Sequence, residues 1–151
     1  MKLEPLMNYH ADLKPGTPVG DGPYGQRLIV DVTGGHFEGP RLRGKILPSG
    51  ADWLLMRSDG MGLLDVRATF ETDDGAFIYL SYYGMLEFNE QVQAALAGGG
   101  STEYGDVYFM TQPRFETGDP RYAWLNSVVA VGEGRVCPNA VEYRVFHAVN
   151  G

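Results

Sequence analysis

At 151 residues the chain has the length of one domain, enough to bury roughly two thirds of its unfolded surface without a covalent staple. A net charge of −7 argues against a nucleic-acid partner, because phosphate contacts need clustered Lys and Arg. A lone cysteine, Cys137, cannot form an internal disulfide and points to the cytoplasm. No apolar run approaches a membrane span, and Glu4, Pro5, Asn8 and His10 break the stretch where a signal peptide would need an apolar core.

The chain carries 21 Gly, 9 Tyr, 7 Phe and 2 Trp, the mix of a β protein with many turns. Alternation of period two begins at once, with Leu3, Met7, Tyr9, Ala11 and Leu13 on one face of a first strand. Lys14 to Gly25 is rich in Gly and Pro and predicts an irregular loop. Gln26 to Thr33 resumes the alternation, with Leu28, Val30 and Val32 opposite Arg27 and Asp31. The glycines between Gly34 and Trp53 read as bends and bulges with a turn at Pro48 to Ala51, since the stretch lacks the Lys and following helix of a phosphate loop.

Leu63 to Glu71 alternates most cleanly, and Asp-Gly turns flank it at Ser58 to Met61 and Thr72 to Gly75. Asn89 caps one short helix with Val92, Ala95 and Leu96 as its stripe and Gly98 to Gly100 at its end. Strands follow at Gly105 to Gln112, Arg121 to Gly132 and Ala140 to Val149. Eight to ten strands without a linker predict a single all-β domain over 1–151, closed as an antiparallel barrel to hide its edges.

A two-residue loop at Asp59 and Gly60 would set Asp52 opposite Arg67, with Asp65 diagonal to it. One face then carries Trp53, Leu64, Val66, Ala68 and Phe70, the other Asp52, Leu54, Asp65, Arg67, Ile78, Leu80 and Tyr82. A guanidinium between two carboxylates can orient a carbonyl or anionic group while one carboxylate moves a proton. The plainer reading is a solvated cross-strand ion pair worth about 1 kcal/mol at most. His10, His36 and His147 lie at no ligand spacing, so no metal is expected. No nucleophile elbow occurs. Tyr122, Trp124 and Asn126 share a face of a late strand, where a buried Asn126 amide would need partners.

The run GGHFEGPRLRGKILPSGADW, followed by RSDG, LDVRATFETDDGAFIY, VYFMTQPRFET and YAWLN, resembles the domain-of-unknown-function 3237 family of small bacterial proteins. The resemblance covers about Gly25 to Val145. It implies an antiparallel β-barrel of calycin-like or allene-oxide-cyclase-like appearance and no general activity. The polar and aromatic residues that match its motifs are Asp52, Trp53, Arg57, Asp65, Arg67, Tyr108, Trp124 and Asn126. Where similar sequences tend to continue YFRT and WLNR, this chain has Met110 and Ser127, which implies a less anionic ligand if those positions touch one.

The leading expectation is an enzyme doing acid/base chemistry of the isomerase, lyase or cyclase type on a small oxygenated molecule in the barrel, without a cofactor. Asp52 or Asp65 is the acid or base, Arg67 its electrostatic partner, and Trp53, Arg57, Tyr108, Trp124 and Asn126 bind substrate. The alternatives are a small-molecule binding or carrier barrel, and a structural barrel whose Asp52, Asp65 and Arg67 face meets another subunit of a homo-oligomer.

Overall fold

The computed structural model describes Met1–Gly151. In chain order its strands are β1 (Lys2–Leu13), β2 (Thr17–Gly22), β3 (Gly25–Glu38), β4 (Arg43–Met56), β5 (Met61–Thr72), β6 (Phe77–Glu87), β7 (Phe109–Glu116), β8 (Ala130–Cys137) and β9 (Ala140–Val149). One α-helix, α1 (Glu90–Leu96), lies between β6 and β7, and a 3₁₀ helix (Pro120–Ser127) between β7 and β8. The antiparallel order β1-β9-β8-β7-β6-β5-β4-β3 closes on itself through β1 and β3, so the eight-stranded barrel presents no free edge around its circumference. β2 adds a flap to the first half of β3. No helix is long and apolar enough to cross a membrane.

Alternation fills the barrel. Met7, Tyr9 and Ala11 of β1, Val32 of β3, Val66, Ala68 and Phe70 of β5, and Tyr143 and Val145 of β9 are all buried in one cluster, while their neighbours along each strand turn outward. Across the middle, aromatic rings form a layer. Phe37 stacks on Phe70 with centroids 4.7 Å apart, Tyr9 lies 5.3 Å from Phe70 and 4.8 Å from Tyr143, and Phe109 meets Tyr143 edge-on at 5.2 Å. Such contacts add to the burial of the rings themselves. Gly134 makes room for them: a Cβ there would lie 2.8 Å from the Tyr143 ring and 2.9 Å from that of Phe109.

The ends are closed differently. At one end α1 packs Val92 and Ala95 fully inside, and Asn89 Oδ1 accepts the Val92 N–H at 2.9 Å as its N-cap. At the other end the 3₁₀ helix buries Tyr122 and Leu125. Arg121 there donates to the Asp74 carbonyl at 2.9 Å, and the Tyr122 hydroxyl donates to the Asp74 carboxylate.

Five expectations change. Lys14 to Gly25 contains β2 rather than only loop, and Pro48 to Ala51 lies within a continuous β4, whose ladder bulges between the pairs Ile46 with Phe70 and Gly50 with Ala68. The chain from 121 to 127 is helical, started by Asp119 and by Pro120 at the first helical position. β7 begins only at Phe109, and its ladder to β8 stops after Thr111 and Gly132, just before Pro113, which has no N–H to give.

The fifth change matters most. Both tight hairpins have three-residue loops. Arg57 N–H donates to the Met61 carbonyl at 2.9 Å around Ser58, Asp59 and Gly60, and Thr72 N–H to the Ala76 carbonyl at 2.8 Å around Asp73, Asp74 and Gly75. Gly60 and Gly75 take positive φ values of 85° and 90°, the left-handed position that ends such a loop. Each loop shifts the expected register by one residue, and a one-residue shift reverses facing. Asp52 therefore pairs with Val66, and Val66 with Tyr82. Two shifts cancel between β4 and β6, so Asp52, Leu54, Ile78, Leu80 and Tyr82 do share a face, while Asp65 and Arg67 of β5 turn away from it.

Closure demands a close backbone approach at Gly35, where φ is 139° and a Cβ would stand 2.0 Å from the His10 carbonyl oxygen. Gly35→Ala is expected to destabilise the barrel by about 2 kcal/mol or more, whereas Gly118→Ala, with open space around it, stays within about 0.5 kcal/mol. Urea denaturation of the two variants measures the difference.

Candidate functional site

The barrel encloses a cavity of about 30 Å³ between the aromatic layer and α1. Thirteen of its fourteen lining residues are hydrophobic, and the exception is Asp52. Leu13, Leu54, Leu86 and Leu96 bound it towards α1, and Tyr82 and Tyr143 stand on the aromatic side. Room of that size takes a water molecule.

Asp52 reaches this position through a local break in the wall. Regular pairing of β4 with β5 skips Trp53 and Leu54. The Trp53 carbonyl instead accepts from Arg27 Nη1 at 2.8 Å, and Asp52 Oδ1 accepts the Asp65 N–H at 3.1 Å. A side-chain oxygen thus replaces a ladder acceptor and fixes the carboxyl.

Burial among apolar side chains pushes Asp52 up from 3.8 to about 7. The Asp65 N–H opposes the shift, the Asp65 charge adds to it, and Arg27 opposes it. Beside the acid, Tyr82 donates to the Tyr143 hydroxyl at 2.9 Å. Burial holds the phenols of Tyr9, Tyr82 and Tyr143 well above their ordinary range, so all three are neutral hydrogen-bonding groups at any physiological pH. The buried hydroxyls of Tyr9 and Thr111 have no protein partner.

Of the eight candidate site residues, Asp52, Trp53, Arg57, Asp65, Arg67, Tyr108, Trp124 and Asn126, only Asp52 lines the cavity. Asp65 and Arg67 form an outer-face ion pair at 3.6 Å with side chains 37% and 48% exposed, and the Arg67 guanidinium sits 5.4 Å from the Trp53 ring centroid. Arg57 closes the β4–β5 hairpin on Asp59 at 2.6 and 3.1 Å. Tyr108 is exposed on the outer wall. Trp124 lies under Arg41, 3.7 Å from its ring centroid, at the end opposite α1. Asn126 is exposed, and both atoms of its amide bond the Thr117 backbone, at 2.8 and 2.9 Å. The expected cluster of Asp52, Asp65 and Arg67 is thus divided by the barrel wall. Met110 and Ser127 also lie outside, so they say nothing about charge in the cavity.

The tyrosines are what the sequence reading missed. Each interrupts a row of inward apolar residues: Tyr9 between Met7 and Ala11, Tyr82 after Ile78 and Leu80, Tyr143 between Val141 and Val145. That recurrence was the available signal.

Other polar groups offer less. His10 sits on the outer wall between Glu142 and Asp12, 3.0 Å from each. Burial, with Glu142 beside it, pushes the Cys137 thiol up to about 11, far from a reactive thiolate. No group of three His, Cys, Asp or Glu side chains is placed to hold a metal ion.

Fold and cavity together define a closed antiparallel β-barrel protein with one acid and a tyrosine pair facing an otherwise apolar interior. The chain belongs to the family described as Protein of unknown function (DUF3237), whose model matches residues 1–148. It is 36% identical over 116 residues to a UPF0311 protein of Rhodopseudomonas palustris, covering 77% of this chain and 76% of that one. A β-barrel-like protein from Acinetobacter baumannii superposes with a TM-score of 0.83 at 40% identity, covering 97% and 94% of the two chains. The chain is also 28% identical over 141 residues to PR-toxin biosynthesis cluster protein 7 of Penicillium roqueforti, covering 80% and 75%. An enzyme from Penicillium herquei shares the fold at a TM-score of 0.68 and 22% identity, over 97% and 94%.

A buried acid with a raised pKa links stability to pH. The folded chain holds the Asp52 proton from 3.8, where the unfolded chain loses it, to about 7, so folding takes up a proton in that window and stability falls as pH rises through it. Asp52→Asn removes this dependence. Because Asp52 as a residue keeps intermediate exposure, the gain at pH 8 is expected to be on the order of 2 to 4 kcal/mol, with little change at pH 4. Urea melts at the two pH values read it directly.

Proposed function

We propose that the protein is an enzyme that moves protons on a small, neutral, oxygenated molecule inside the barrel. The observation that carries this reading is Asp52, the one ionisable carboxyl on an apolar cavity, held at about 7. A group half-protonated near neutrality can both give and take a proton. Isomerisation, elimination or addition of water, and ring closure all need that exchange. The Asp65 N–H keeps Asp52 Oδ1 in place, and the Tyr143 hydroxyl, oriented by accepting from Tyr82, is a neutral donor for an oxygen on which charge develops.

The lining favours an uncharged substrate, since the only group able to carry charge there is an acid. Entry requires the α1 end to open, because about 30 Å³ is far below the size of a small-molecule pocket. Leu96, the last residue of α1, is part of the cavity wall, and Gly98 to Gly100 follow it. Support comes from outside as well, in the relative named for a toxin biosynthesis cluster and in an enzyme built on the same fold.

Asp65 and Arg67, on the outer face, take no part in this reading. A carrier barrel would share the apolar lining and differ in doing no chemistry. Exchange of α-protons for deuterium in a panel of enolisable cyclic ketones, followed by NMR, separates the two. The wild type is expected to exchange at least one ketone with an apparent pKa near 7. Asp52→Asn should lose about 100-fold or more and Tyr82→Phe about 10-fold, with Asp65→Asn and Arg67→Ala within about twofold. Full activity in Asp52→Asn refutes the assignment, and binding without exchange favours the carrier.

A further inference from the structure

We infer that the outer face of β5, β6, β7 and β8 is the interface of a two-fold symmetric homodimer. A groove of about 590 Å³ runs over this wall, with Leu63, Tyr83, Met85, Tyr108, Met110 and Val131 among its lining. Four of these side chains are left to solvent: Tyr83 is 65% exposed, Tyr108 57%, Val131 39% and Met110 38%. Single exposed apolar residues are ordinary, but a contiguous set on one wall marks a contact surface. An open groove on a sheet face has none of the enclosure that the cavity has.

Charge placement selects the occupant. Register sets the outward residues in rows across the strands: Leu63, Met85, Met110 and Glu133 form one row, Asp65, Tyr83 and Gln112 the next, and Arg67, Ser81 and Arg114 the third. Rows are about 7 Å apart, two residues along a strand. The apolar centre thus has an acid on the α1 side and two guanidinium groups on the other. Arg114 is exposed and makes no salt bridge in its own chain.

A two-fold axis lying across the strands over the Tyr83 row maps the third row of one copy onto the first row of the other. Arg114 then falls over Met110 of the second copy, one strand from its Glu133, whose Oε1 already pairs with Arg144 in its own chain and whose Oε2 is left to accept; symmetry makes the contact twice, once on each side of the axis. The two Tyr83 rings meet at the centre. A surface complementary to itself under a two-fold rotation is what an isologous interface requires. A chain of net charge −7 repels its own kind at long range, so attraction must come from this local pattern and from the aromatic area.

Light scattering coupled to size exclusion, at about 100 μM, tests the inference. The wild type is expected at twice the 16.6 kDa chain mass. Tyr83→Glu should run as a monomer with unchanged far-UV circular dichroism, and Arg114→Glu should weaken self-association about 10-fold or more. Asp52→Asn, inside the barrel, should remain dimeric, which keeps this test independent of the proposed chemistry. A monomeric wild type overturns the inference, and Tyr83-dependent binding of an apolar dye to that monomer would assign the groove to a small ligand. A dimer that survives both Tyr83→Glu and Arg114→Glu overturns it too, by placing the interface elsewhere.

Discussion

Everything in this molecule depends on the ladder that joins β1 to β3 and closes the barrel. Six residue pairs, from Asn8 with Glu38 to Leu13 with Val32, seal the wall. β3 meets them while still paired to β4, and the approach is so tight at Gly35 that no side chain fits between it and the His10 carbonyl. Closure satisfies the strand edges and removes water from the interior. A carboxyl on an open sheet of the same sequence would be solvated and ordinary. Inside a closed one it is desolvated, and its acidity moves towards neutrality for that reason alone.

The same closure separates two chemistries that the strands interleave residue by residue. Outward positions carry the ion pairs, such as Asp65 with Arg67, and the apolar groove. Inward positions carry the aromatic layer, the tyrosine hydroxyls and Asp52. Neighbours in the chain, Asp52 and Trp53, therefore belong to different environments. Only the thickness of one strand lies between them.

The strand pattern was legible because alternation reports burial directly: β5 and β9 read almost residue for residue, and Asn89 announced α1. Facing between strands was less legible, because it depends on whether a loop containing Asp-Gly has two residues or three. β4 could not arbitrate, since Trp53 and Leu55 offer as much bulk on one face as Leu54 and Met56 on the other. The 3₁₀ helix was hidden by Tyr122 and Trp124 at i and i+2, which imitate a strand, although Asp119 and Pro120 are a helix start. Asp52 was reachable from sequence as a candidate. Its partners were not, because tyrosines at inward positions look like core until their hydroxyls are placed.

The Asp65 amide gives its proton to Asp52 Oδ1 at 3.1 Å. An amide proton given to a carboxylate is held more strongly than one given to the neutral acid, so the Asp65 N–H feels every change of charge at Asp52. It lies in the backbone of an outer-facing residue, yet it touches the interior acid. The molecule thus contains its own indicator: the resonance of a single amide reports the protonation of the buried carboxyl, with no dye, label or substrate.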